Sequence, residues 1–350
     1  MPYLYYYGVE IRPYSWGLFF AFGVALAFKE TVSSESYRAY IKFAVFSALS
    51  GYAHHFALVA SAFFWFFLFI YLLFSKSKKI RRFFIALLIF TVMYLPCFLL
   101  AIYQIRNASS YFSMSPLSLS SFLSDLRFPF VTHYTPLSML LMIIFLFAFL
   151  VGLIYFIKGD YNLYSPLIYA ALPVFVTVFG YAVSFSAGTS YFTSRYLIPS
   201  IGILWLGVAI LLVRVLTSMP LIPMQILSVI FSIIILFSGF INYRSQFLSE
   251  YDNSVNEMTY WFDENLSADD GYIIYESAYQ IEICMRYYYP NLKKYDYSNI
   301  NEIKGNIWYF EVDGYENELE KASSLGYNIV YIKDMAFDRY NFKLYQLVKK

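Results

Sequence analysis

Three side chains able to grip an anion, Arg12, His54 and Arg195, each stand at the border of a long apolar run. Ionisable groups are costly at membrane depth, so near such runs they tend to face a protein interior or a watery cavity. In Glu10-Ile11-Arg12-Pro13-Tyr14, Glu10 and Arg12 lie on one side of an extended segment, and Pro13 suits a first helical turn. A plainer account is a membrane-edge ion pair worth under ~1 kcal/mol. In Gly51-Tyr52-Ala53-His54-His55-Phe56 two adjacent histidines would point about 100° apart on a helix. One can therefore face a cavity while the other packs or caps; His54 is taken as the inward one and His55 as its packed neighbour. In Ser194-Arg195-Tyr196-Leu197-Ile198-Pro199 an arginine opens a helix, and a guanidinium suits bidentate contact with phosphate. It could also simply snorkel to lipid headgroups. Asp125 and Arg127 read as a solvated pair. His133, the third histidine, reads as an interfacial residue.

These residues sit in a chain of two unlike parts. It has 350 residues, 60% of them hydrophobic and only 14% charged, with a mean hydropathy of +0.55. Soluble domains carry about 25% charged residues. Residues 1–242 hold 5 of the 23 acidic residues and 14 of the 25 basic ones; the other 18 acids lie in 243–350. That shift marks a membrane domain, 1–242, followed by a water-soluble domain, 243–350. The acidic second part argues against nucleic acid as a partner. Cys97 and Cys284 fall in different parts, so no disulfide framework is expected.

Apolar runs long enough to span a bilayer, about 20 residues each, occur at roughly 14–29, 85–103, 137–157, 166–185, 197–213 and 221–241. The stretch 40–74 is too long for one helix and reads as a short helix to Gly51, a break, and a full helix from Phe56. Eight segments result. Lys76, Lys78, Lys79, Arg81 and Arg82 form the strongest basic cluster, which the positive-inside rule puts in the cytoplasm. Counting outward, ten of the fourteen basic residues fall inside, and Arg12, Arg106, Arg127 and Arg195 fall outside. The histidine pair and the acidic tail would then be extracytoplasmic.

In the loop 104–136, Leu119, Phe122, Leu123 and Leu126 recur at helical spacing, as in a short helix lying in the membrane interface. The tail alternates periods: helix 254–266, strand 271–275, helix 279–288, strand 307–312, helix 316–325, and strands 328–333 and 343–348. That is an α/β layer domain. It contains neither a Gly-rich phosphate loop nor metal-ligand spacing. With His133 and Cys97 as the remaining soft ligands, no metal site and no cofactor are assigned, and a divalent ion is not evident.

The ordered set of motifs resembles the C-type glycosyltransferase superfamily, in its branch of protein mannosyltransferases and lipid A aminoarabinose transferase. Glu10-x-Arg12-x-Tyr14 is similar to an E-x-R-x-Y that opens a mid-chain helix there. Tyr52-Ala53-His54-His55-Phe56 is similar to Y-T-H-Y-F, with His55 in place of the usual aromatic, and Arg195-Tyr196-Leu197-x-Pro199 to R-Y-L-x-P. The resemblance implies a multi-pass cell-membrane enzyme that moves a sugar from a polyprenyl-phosphate donor to a glycan, lipid or protein acceptor outside the cytoplasm. Arg195 and Arg12 would hold the donor phosphate, His54 would hydrogen-bond it, Glu10 would hold Arg12, and Tyr14 and Tyr196 would line the site. The family carries its catalytic acid in a first outer loop to which nothing here corresponds, so the chain is expected to be the C-terminal part of such an enzyme. Two other readings stay open: an O-antigen polymerase or ligase, and a non-enzymatic polysaccharide or lipid transporter.

Overall fold

The computed structural model describes residues 13–34, 36–75, 79–108, 118–131, 135–187, 192–250, 254–274, 279–312, 319–337 and 340–349. They form two compact units, 1–242 and 243–350, divided where the acidic residues begin.

The first unit is helical. Its helices are α1 (Tyr14–Ser33), α2 (Tyr37–Ala53), α3 (His55–Phe74), α4 (Ile80–Ala108), α5 (Leu119–Arg127), α6 (Thr135–Ile157), α7 (Tyr164–Ala187), α8 (Ile198–Leu216) and α9 (Leu221–Glu250). Among the described residues seven helices, rather than eight, are long and apolar enough to cross a membrane. The helix that drops out is α2. Its 17 residues include Arg38, Lys42 and two buried serines.

Burial in this unit runs opposite to that of a soluble bundle. Along α1 the buried face is Gly17, Ala21, Val24, Ala25 and Phe28, while Trp16, Phe19 and Leu26 are exposed. Small residues let helix backbones approach closely where no hydrophobic force drives them together. Phe28, Phe43, Phe64 and Tyr169 meet at the centre, with Phe28 and Phe64 ring centroids 5.1 Å apart. The hydroxyl of Tyr169 donates to the carbonyl of Ala25, tying α7 to α1.

α2 and α3 fold back on each other with His54 as the one residue between them. Ser50 Oγ lies 2.7 Å from Ser61 Oγ, and Trp65 Nε1 donates to Ser47 Oγ at 3.1 Å. These buried pairs give the hairpin a hydrogen-bonded seam inside an otherwise apolar contact. The loop helix at 119–127 is present as α5. Ser118 and Ser121 start it by capping each other's backbone amides.

The second unit is a five-stranded sheet with helices α10 (Ser254–Asn265), α11 (Tyr279–Tyr288) and α12 (Leu319–Ser324). Its strands are β1 (Gly271–Ile274), β2 (Lys293–Lys294), β3 (Ile307–Val312), β4 (Tyr327–Phe337) and β5 (Tyr340–Lys349), in the order β2-β1-β3-β5-β4. β1 runs parallel to β2 and β3, and β5 is antiparallel to both of its neighbours. Alternation along β3 sends Trp308 and Phe310 into a core with Phe262 and Phe342, and Ile307 and Tyr309 into another with Ala322 and Leu347. The turn before β1 is held by buried Asp270. Its carboxylate accepts from Asn306 N at 2.7 Å and Trp308 Nε1 at 2.9 Å. Neither Cys97 nor Cys284 forms a disulfide among the described residues.

Candidate functional site

His54 leaves the helical conformation altogether, with φ −162° and ψ 133°, and so ends α2 and begins α3. Its Nδ1 accepts the amide of Phe56 at 3.1 Å. A nitrogen that accepts carries no proton, so the ring is the neutral tautomer with its proton on Nε2. Half-buried His54 faces Tyr14, with centroids 5.1 Å apart, and Tyr196, at 5.8 Å. His55 is exposed, which corrects its expected role as a packed neighbour. The break explains the difference. Once His54 is extended, the two rings no longer follow helical spacing, and His55 becomes the first residue of α3 on its outer side.

Replacing His54 by alanine removes the cap and is expected to cost about 1 kcal/mol. His55→Ala should stay within about 0.5 kcal/mol, as exposed substitutions do. Thermal unfolding in detergent measures both.

Tyr14, His54 and Tyr196 come together because Gly17 allows it. A Cβ at Gly17 would lie 3.2 Å from that of His54 and 3.5 Å from Pro199 Cγ. The start of α1, the α2–α3 break and the start of α8 thus converge on one residue without a side chain. Phe56 stacks on Tyr196 with centroids 4.6 Å apart and planes 15° from parallel.

Arg195 sits in a 3-10 turn, Ser194–Leu197, that leads directly into α8. Its guanidinium carbon is 5.9 Å from the centre of the Tyr196 ring. Its Nε is buried and has no hydrogen-bond partner among the described residues. A buried N–H of a permanent cation left without an acceptor is costly, and natural proteins rarely leave one so. A guanidinium is suited to contact with an anion.

No family model, curated protein or solved structure matches this chain.

Asp125 departs from its expected place. The carboxylate is buried rather than solvated beside Arg127: Oδ2 accepts from Tyr181 Oη at 2.7 Å and Oδ1 from Ser194 Oγ at 2.6 Å. α5 thus fastens α7 to the residue immediately before Arg195. The only signal in the sequence was the rarity of acids in this part of the chain. The partners, 56 and 69 residues away, had no local mark. Beside Asp125 lies a cleft of about 490 Å³ walled almost wholly by apolar side chains, among them Pro129, Met142, Phe145 and Leu197. Asp125→Ala should strand two hydroxyls and cost about 1–3 kcal/mol. Asp125→Asn, which keeps an acceptor, should cost less, whereas a solvated aspartate would show neither loss.

Glu10, Arg12 and His133 lie outside the described residues. Among the described residues no cluster of three His, Cys, Asp or Glu side chains could hold a metal ion.

Proposed function

We propose that the protein is a membrane glycosyltransferase that takes its sugar from a polyprenyl-phosphate donor and delivers it to an acceptor outside the cytoplasm. The observation that carries this reading is the buried Arg195 Nε without an acceptor, set beside the Tyr14, His54 and Tyr196 rings at a helix end. A guanidinium suits phosphate. Neutral His54 supplies a further N–H from Nε2, and the aromatic faces suit a sugar or an isoprenoid.

In the reaction, the bond between the sugar's anomeric carbon and the phosphate oxygen breaks. The acceptor oxygen bonds to that carbon, and its proton passes to a base. The phosphate leaves with one more negative charge than it had in the donor. Arg195 therefore binds the departing group more strongly than the ground state, which is the condition for raising a rate. The base is not assigned to any residue described here.

The test is transfer of sugar from a polyprenyl-phosphate donor by the intact gene product, compared with Arg195→Ala at matched expression. Unchanged turnover in the variant would end this reading. Activity that instead tracks Arg127 and His133 would move the protein to the O-antigen polymerase or ligase class. Movement of substrate across vesicles without bond formation would make it a transporter.

A further inference from the structure

The helices that begin at the Arg195 site end at a second cleft. Lys29 is 15 residues along α1 from Tyr14, about 22 Å at 1.5 Å per residue. Arg214 lies in the last turn of α8, 19 residues beyond Arg195. Between them is an open cleft of about 830 Å³, floored by Asp160 and Asn162 and walled by Leu163, Tyr169 and Val213. Gly159, at φ +105°, turns the chain into it.

The charges in this cleft are unbalanced. Arg214 Nε donates to Asp160 Oδ2 at 2.7 Å, and its guanidinium carbon stands 5.2 Å from the centre of the Tyr155 ring. One carboxylate and one ring therefore fix the guanidinium. Its terminal nitrogens have no partner among the described residues. The Lys29 ammonium has none there either, because its neighbour Glu30 pairs with Lys42 at 2.9 Å. The cleft thus presents two cations against one carboxylate, half-walled by apolar side chains. It lies at the opposite end of α1 and α8 from the Arg195 turn.

We propose that this cleft binds the phosphate of an anionic phospholipid, held between Lys29 and Arg214, with the lipid's glycerol and first methylenes against Leu163 and Val213. A single negative phosphate matches the excess charge of +1. The cleft's mixed lining suits the junction of headgroup and acyl chain better than a freely diffusing ion. The site is separate from the Arg195 site and does not depend on the reaction proposed for it.

The experiment is native mass spectrometry of the purified intact protein in neutral detergent, titrated with phosphatidylglycerol or phosphatidylcholine. Phosphatidylglycerol should be retained preferentially. Lys29→Gln should weaken it about fivefold, the worth of one cation near a lipid surface, about 1 kcal/mol. The paired change Glu30→Gln with Lys42→Gln, which removes an ion pair at the same end and frees no charge, should leave retention unchanged. The paired change Asp160→Asn with Arg214→Gln removes both charges without stranding either; it keeps the excess charge at +1 and should weaken retention less than Lys29→Gln. Equal retention of the two lipids, or no change in Lys29→Gln, would overturn the proposal. So would displacement of the lipid by inorganic phosphate, which would make the cleft a site for free anions.

Discussion

Replacing Arg195 by alanine is expected to lower sugar transfer by about 100- to 1,000-fold, the usual effect of removing one preorganised donor from a developing negative charge. The loss should fall chiefly on kcat, because the phosphate gains charge only as the sugar leaves. Arg195→Lys separates charge from geometry. It keeps the positive charge but loses the buried Nε donor, whose solvent-excluded position is what makes the arginine distinctive. Transfer should then recover only in part, remaining about tenfold below wild type, as befits one hydrogen bond of about 1.4 kcal/mol. Lysine restoring full activity would show that charge alone matters and that the orphaned donor has no catalytic meaning. Neither variant should lower the unfolding temperature, since among the described residues the guanidinium makes no hydrogen bond or ion pair that would be lost.

The largest effect on stability is expected at Gly207. A Cβ there would lie 2.7 Å from the carbonyl oxygen of Pro166 and 2.7 Å from the amide nitrogen of Ala170. Both are backbone atoms of α7, so neither can swing aside as a flexible side chain would. Gly207→Ala must push α8 away from α7. The expected cost is about 1–3 kcal/mol, the range for overpacking a close contact. Gly207→Leu should prevent recovery of folded protein. Gly239 supplies the control: a Cβ there meets nothing within 4 Å. Gly239→Ala should be neutral or stabilise by up to about 1 kcal/mol, as alanine favours a helix interior. If the two glycine-to-alanine changes behave alike in thermal unfolding, α7 and α8 are not in backbone contact at this point.

Much of this architecture was legible because it is periodic and local. Leu119, Phe122, Leu123 and Leu126 gave the loop helix from their spacing alone, and the run from Tyr279 to Tyr288 gave its helix to the residue. The discontinuity before Phe56 was legible from the length of the apolar stretch, although the residue that breaks it is His54. What stayed hidden was made by distance along the chain. Asp125 looked solvated because Arg127, two residues on, offered a surface partner, while Tyr181 and Ser194 reach it only through tertiary folding. The two-residue strand Lys293–Lys294 has too few residues to show any alternation. α2 was counted as a span because its apolar residues were weighed without its serines, which the fold buries against α3.

Those serines bear on how the chain is made. Ser47 and Ser50 find their side-chain partners, Trp65 and Ser61, on the helix that is synthesised next. A nascent chain that has delivered α2 but not α3 would carry these hydroxyls into lipid without them. The short α2 is therefore expected to wait at the interface and enter together with α3 as a single hairpin, so that biogenesis here proceeds in steps of two helices rather than one.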